Sequence, residues 1–285
     1  MVGMPAHPGQ PIAVFDSGVG GLTVLHECLV SLPHEDFVYL GDTARFPYGP
    51  RSREQLEQFA LECAGIVLEG GAKLLVVACN SATAAALPAL RRELGADVGI
   101  VGVVEPESRF AGRATRSGEV GLLATEATVA SGAYERALHE FAPEAHLHPV
   151  ACPDLAPLIQ AGSEVDQEVV SLVEAYCDPL RDAGADTVIL GCTHYPLIRP
   201  LLQRSLGRGV KVVTSGKAVA EEVEVALRQR GLGREESRRG EYRFMCSGDP
   251  DAFRAVGTRF LQLPMGQVRH VDVTPPAGIG QASAA

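Results

Sequence analysis

Val76-Val77-Ala78-Cys79-Asn80-Ser81 and, far down the chain, Ile189-Leu190-Gly191-Cys192-Thr193-His194 follow one pattern. In each, an apolar run ends in a cysteine and gives way at once to small hydrogen-bonding residues. A buried strand reads this way when it stops at the carboxyl edge of a sheet and the chain turns into a helix. The thiol then sits beside free backbone N–H groups and the positive end of a helix dipole, surroundings expected to favour thiolate. Two such thiols, one from each half of a pseudo-symmetric chain, could flank one carbon from opposite faces. Inversion of a stereocentre by proton removal and return needs that arrangement.

Further apolar runs at 12–15, 37–40, 100–104, 120–124 and 210–213 alternate with helical patterns, which predicts α/β architecture with parallel sheets. Leu56, Phe59, Ala60, Cys63 and Val67 keep helical spacing, as do Val169, Val173, Tyr176, Cys177 and Leu180. Cys63 and Cys177 therefore fall on core-facing stripes, and Cys28 in a predicted helix reads as structural too. His146, His148 and Cys152 form an H-x-H-x3-C cluster with no fourth ligand, so no metal site is expected. The ends, 1–10 and 274–285, are rich in Pro, Gly or Ala and read as irregular.

With 285 residues, 46% hydrophobic and 21% charged, the chain can build a substantial core divided between two α/β domains. Its net charge is −10 and it has no basic run, which argues against nucleic acid as a partner. An acidic ligand would have to be held by local N–H groups, hydroxyls and helix N-termini. Seven cysteines without a C-x-x-C pair suggest reduced thiols rather than a disulfide framework or a zinc ribbon. No stretch approaches the roughly 18 apolar residues of a membrane span, so the expectation is a soluble, cytoplasmic protein with no membrane partner.

Strand 12–15 runs into Asp16-Ser17-Gly18-Val19-Gly20-Gly21-Leu22-Thr23, a glycine turn able to bring backbone N–H groups close to an anion. It is not a dinucleotide fingerprint, because Thr23 stands where the third glycine belongs. Ser215-Gly216-Lys217-Ala218 resembles the end of a phosphate loop, but Lys211 occupies the first glycine position and Ala218 cannot ligate magnesium. Lys73, Lys211 and Lys217 are the only lysines, and none lies in the cysteine segments or the glycine turn, which disfavours a pyridoxal-phosphate Schiff base.

The ordered motifs Asp16-Ser17-Gly18, Gly41-Asp42-Thr43-Ala44-Arg45-Phe46-Pro47-Tyr48-Gly49, Ala78-Cys79-Asn80-Ser81-Ala82, Val103-Val104-Glu105-Pro106, Leu123-Ala124-Thr125-Glu126-Ala127-Thr128 and Gly191-Cys192-Thr193-His194-Tyr195-Pro196 resemble those of glutamate racemases. Ser247-Gly248-Asp249-Pro250 adds to a likeness spanning about residues 12–263. The resemblance implies two flavodoxin-like domains with parallel sheets related by a pseudo-two-fold axis. Residues 1–102 plus 211–285 would form the first, carrying Cys79, and 103–210 the second, carrying Cys192. It also implies a cofactor-independent isomerase that interconverts L- and D-glutamate for peptidoglycan synthesis and assembles as a homodimer.

Carried over by motif, Cys79 and Cys192 would be the proton acceptor and donor, exchanging roles with direction, with Asp16 and His194 assisting them. Asp16, Ser17, Tyr48, Gly49, Asn80, Ser81, Thr193 and His194 would contact substrate, and Thr125 and Thr128 would lie near the site. For Asp16 and His194, a helix cap or a strand-end hydrogen bond is the plainer alternative. Three positions depart from the family pattern: Ser81 where Thr is common, Glu107 where small residues are frequent, and Thr214 where Asp is usual. They bear on pocket shape, on hinge packing or regulation, and on a secondary contact. A sister racemase acting on aspartate or a hydantoin, and a non-catalytic amino-acid-binding protein of two lobes, are the rival readings.

Overall fold

The computed structural model describes residues 6–95, 98–162, 166–235 and 238–273. The ends expected to be irregular lie outside them, apart from 6–10. Strands β1 (Ile12–Asp16), β2 (Phe37–Gly41), β3 (Leu74–Val77) and β4 (Gly99–Gly102) are joined by helices α1 (Leu22–Ser31), α2 (Arg53–Leu68) and α3 (Asn80–Leu94). A second series follows α4 (Val104–Ala114): β5 (Glu119–Ala124), α5 (Glu126–Ala130), α6 (Ala133–Phe141), β6 (His146–Ala151), α7 (Leu155–Ala161), α8 (Gln167–Asp182), β7 (Thr187–Gly191), α9 (Arg199–Leu206) and β8 (Lys211–Val213). Helix α10 (Ser215–Arg230) returns the chain to the first half, where β9 (Tyr242–Cys246), α11 (Pro250–Leu261) and β10 (Val268–His270) complete it.

The strands form two sheets, β10-β9-β2-β1-β3-β4 and β6-β5-β7-β8. Every pairing is parallel. With β5 as the counterpart of β1, both sheets run second-first-third-fourth, the flavodoxin-like order, so the chain contains the same doubly wound unit twice. The two-domain α/β expectation holds. Its boundary shifts, because β8 hydrogen-bonds to β7 and residues 211–213 thus belong to the second sheet, not the first.

Burial accounts for which strands the sequence revealed. All five residues of β1 are buried, as are those of β2 and β7, because helices cover both faces of a parallel sheet. Edge strand β6 carries half-exposed residues and Pro149, which cannot donate to a ladder, and so gives no apolar run. Strands β9 and β10 are likewise short and partly exposed. Helix α2 starts where Ser52 accepts from Gln55 N while the Gln55 side chain accepts from Ser52 N, a full capping box. One continuous apolar cluster includes Leu22 and Leu25 of α1, Val219 and Val223 of α10, and Leu122 and Ile189 of the second sheet. It joins the halves, with α10 packed against both α1 and α4. Among the described residues no helix is long and apolar enough to cross a membrane.

Candidate active site

The third strand of each unit delivers a cysteine at its carboxyl end, Cys79 after β3 and Cys192 after β7, and the first strand of each delivers Asp16-Ser17 or Thr125. These strand ends flank the switch point of each doubly wound sheet, where such folds hold their ligands. The two switch points face each other. Cys79, Cys192, Ser17, Tyr48, Gly49, Asn80, Ser81, Thr125, Thr193 and His194 line one cavity of about 140 Å³, walled also by Phe46 and Pro157. This volume suits a small metabolite and is below the roughly 300–1,000 Å³ of drug-sized pockets. A groove of about 770 Å³ on the edge of the first sheet holds neither thiol.

Cys79 is the N-cap of α3, its Sγ accepting from Ala82 N at 3.5 Å. Cys192 differs from the expectation, for only a four-residue 3₁₀ turn, Tyr195–Ile198, follows it before α9 begins. Burial overrides the local N–H groups at both sites. It pushes the Cys79 thiol up to about 12, with the Asp16 carboxylate adding to the rise and Ala82 N–H and Ser17 opposing it. The Cys192 thiol is driven well above its ordinary value by burial, against the pull of the His194 N–H, and negative charge on Cys79 raises it further. Burial thus outweighs the thiolate-favouring surroundings expected from the strand-end position.

Asp16 sits directly behind the cavity wall. Its Oδ2 accepts from Gly18 N at 3.0 Å and its Oδ1 from the Thr193 hydroxyl at 3.4 Å. Burial lifts its carboxyl to about 6, against the pull of the Gly21 and Gly18 N–H groups. His194 Nδ1 lies 3.8 Å from Cys192 Sγ, and its Nε2 is 2.9 Å from Gln160 Oε1. With Gln160 accepting, Nε2 carries the ring proton and Nδ1 turns a lone pair toward the thiol. The ring lies between Phe46 and Phe260, and burial lowers its pKa to about 3, so it is neutral. The glycine turn is needed for close approach. A Cβ on Gly20 would lie 2.3 Å from Thr193 Oγ1, and one on Gly21 2.5 Å from Asp16 Cβ.

Not every expected contact residue presents its polar group to the cavity. The Tyr48 hydroxyl donates to Asp42 Oδ2 at 2.5 Å, leaving its ring as wall. Ser81, Thr125 and Thr128 form a hydroxyl triangle at 2.8, 3.1 and 2.9 Å, with Thr128 behind the other two. Asn80 donates from Nδ2 to Tyr134 and Glu107, and its buried Oδ1 has no partner among the described residues. Gln160, Phe260 and Tyr134 were not among the residues the sequence singled out, since an isolated Gln or aromatic residue carries no motif; Phe46 lies within the 41–49 motif but was given no role. No cluster of three or more metal-ligating side chains occurs among the described residues. His146 and His148 instead face Glu119 on the outer edge of the second sheet.

Twin doubly wound α/β units, each ending its third strand in a cysteine at one shared pocket, define a class of two-lobed α/β proteins with a two-thiol site. The model of the Asp/Glu/Hydantoin racemase family matches residues 23–223, and the chain belongs to that family, whose members are isomerases. It is 44% identical over 267 residues to a glutamate racemase of Geobacter metallireducens, covering 93% of this chain and 98% of that one. A glutamate racemase isoform from Bacillus anthracis superposes with a TM-score of 0.89 at 37% identity, over 93% of this chain and 98% of the other. The glutamate racemase of Francisella tularensis, solved in complex with D-glutamate, gives 0.87 at 30% identity with the same coverage.

Proposed function

We propose that the chain interconverts L- and D-glutamate by a 1,1-proton transfer between Cys79 and Cys192. The observation that carries this reading is that the two thiols line one small cavity whose other walls are hydroxyl, amide and backbone groups. One sulfur, as thiolate, removes the α-hydrogen and becomes a thiol. The other thiol gives its proton to the opposite face of the carbon and is left as thiolate. No net proton is gained, and reversal exchanges the roles. A second negative charge would raise the remaining thiol, so a single ionised sulfur is the productive state.

The α-hydrogen of a free amino acid is weakly acidic, so the developing negative charge on its carboxylate needs fixed donors. The Ser17 and Ser81 hydroxyls and the N–H groups opening α3 line or border the cavity and are the donors this reading assigns. The substrate also brings an ammonium group, whose charge offsets the burial that raises the thiols. Asp16 accepts a proton from or orients Cys79, and His194 Nδ1, as a hydrogen-bond acceptor 3.8 Å away, orients the Cys192 thiol. The choice of glutamate follows from the identity shared with glutamate racemases over nearly the whole chain. Supply of D-glutamate for peptidoglycan in the cytoplasm, and assembly as a homodimer, belong to the same proposal; sedimentation equilibrium reads the latter.

The test is incubation of pyridoxal-free, metal-free protein with L-glutamate in heavy water, following optical rotation and deuterium at the α-carbon, with aspartate and a hydantoin in parallel. Loss of rotation with one deuterium per inversion is expected for glutamate alone. Saturable binding without exchange would support a binding module instead. Wild-type rates in Cys79→Ser and Cys192→Ser would remove the two sulfurs from the mechanism.

A further inference from the structure

Among the described residues the cavity-lining Asn80 has no hydrogen-bond partner for Oδ1, yet both hydrogens of its Nδ2 are engaged. One goes to the Tyr134 hydroxyl at 2.7 Å and the other to Glu107 Oε2 at 3.2 Å. Tyr134 donates onward to the same Glu107 oxygen, and Ser215 Oγ donates to Glu107 Oε1 at 2.5 Å. Asn80, Glu107, Tyr134 and Ser215 are all at most 2% exposed. They come from α3, α4, α6 and the first turn of α10, so the network crosses the seam between the two units. Glu107 has no basic partner among its hydrogen bonds. Placing a carboxyl in such a site is costly unless its acceptors are used, and three donors use them.

We propose that Glu107 is a positioning residue for substrate recognition: through its hydrogen bond and through Tyr134 it fixes the Asn80 amide nitrogen toward the seam, so that Oδ1, on the other side of the amide and without a partner among the described residues, is left as the acceptor for the substrate ammonium. The opposite amide orientation would set Oδ1 against a carboxylate oxygen, two acceptors in contact with no proton between them. Of the charged groups on a free amino acid only the ammonium donates, so a lone buried acceptor in the wall selects it. Burial lifts the Glu107 carboxyl to about 8 despite its donors. Because Ser215 donates to Oε1, Oε2 is left as the acceptor that Asn80 and Tyr134 require. A glutamine can do the same; an alanine cannot.

The inference rests on the racemase reading, and its test is a ratio taken against a wild type whose own α-proton exchange tests that reading separately. Because the ammonium is held alike in ground and transition states, Glu107→Ala is expected to raise KM for both enantiomers roughly tenfold while kcat stays within about twofold. Glu107→Gln should return KM to within about twofold of wild type. In an Asn80→Ala background, Glu107→Ala should raise KM no further, the signature of an effect that passes through Asn80. An unmoved KM in folded Glu107→Ala, a Gln variant as impaired as the Ala variant, or additive effects would each overturn the proposal. If Glu107→Ala does not fold, Tyr134→Phe takes its place. A KM raised several-fold is then expected, and an unchanged one overturns it.

Discussion

Asp16 and His194, the two residues proposed to assist the thiols, respond to burial in opposite directions. The carboxyl rises to about 6 because its charged form loses water, and the imidazole falls to about 3 for the same reason. Near neutral pH the Asp16 carboxylate is the better proton acceptor of the two, whereas the buried imidazole stays neutral and resists protonation. If Asp16 must be ionised to draw a proton from Cys79, kcat/KM should climb as pH rises through about 6. In Asp16→Asn that limb should vanish and turnover should fall by roughly 10²–10⁴. A profile with the same acid limb in Asp16→Asn would detach the carboxylate from catalysis. The cysteines, Asp16 and His194 were legible because each sits at a strand end inside a motif. Gln160 was not: its role comes from the fold of α7 over the His194 ring, a contact 34 residues distant in sequence.

At the scale of elements, the turn between β1 and α1 has no room for side chains, since Gly20 presses on Thr193 and His194 from the other unit. Gly20→Ala should cost about 1–3 kcal/mol by overpacking and should impair turnover if Thr193 and His194, which the new Cβ would displace, serve the site as proposed. Ser52→Ala removes the capping box of α2, and about 1 kcal/mol with it, but should leave kcat unchanged. Urea midpoints paired with rates check both, and a Gly20→Ala protein of normal rate and midpoint would show that the turn can yield. The strands covered on both faces announced themselves as apolar runs. Strand β6 did not, because half-exposed positions break the run. The run at 100–104 overshoots, because apolar residues lead without a break from β4 into α4, which starts at Val104. The boundary near residue 211 was hidden for a similar reason: three residues of β8 cannot declare which sheet they will join.

Across the whole molecule, the displaced ionisations set how stability follows pH. Glu107 and Asp16 keep protons in the folded chain that the unfolded chain has released, so their contributions weaken as pH rises from about 4.5 to 8 and from about 4 to 6. His194 acts in reverse. The unfolded imidazole takes a proton that the folded one refuses, and stability drains away as pH falls from about 6.5 toward 3. Glu107→Gln removes one titration, so its urea midpoint should gain on wild type steadily between about pH 5 and 8; parallel curves would mean that the carboxyl ionises alike in both states. A buried Lys73–Glu35 pair ties the segment around Pro8 to that around Leu232 through backbone carbonyls. Lys73→Met strands a carboxylate in the interior and should cost about 3–5 kcal/mol by calorimetric melting.

All seven cysteines are free and buried. The folded chain therefore conceals its complete stock of sulfur from bulky electrophiles, and an aromatic disulfide reagent becomes a gauge of integrity. Intact protein should colour slowly, and only through the two sulfurs that border the cavity, at a pace glutamate retards. Protein that has lost its fold should release seven equivalents in a single burst.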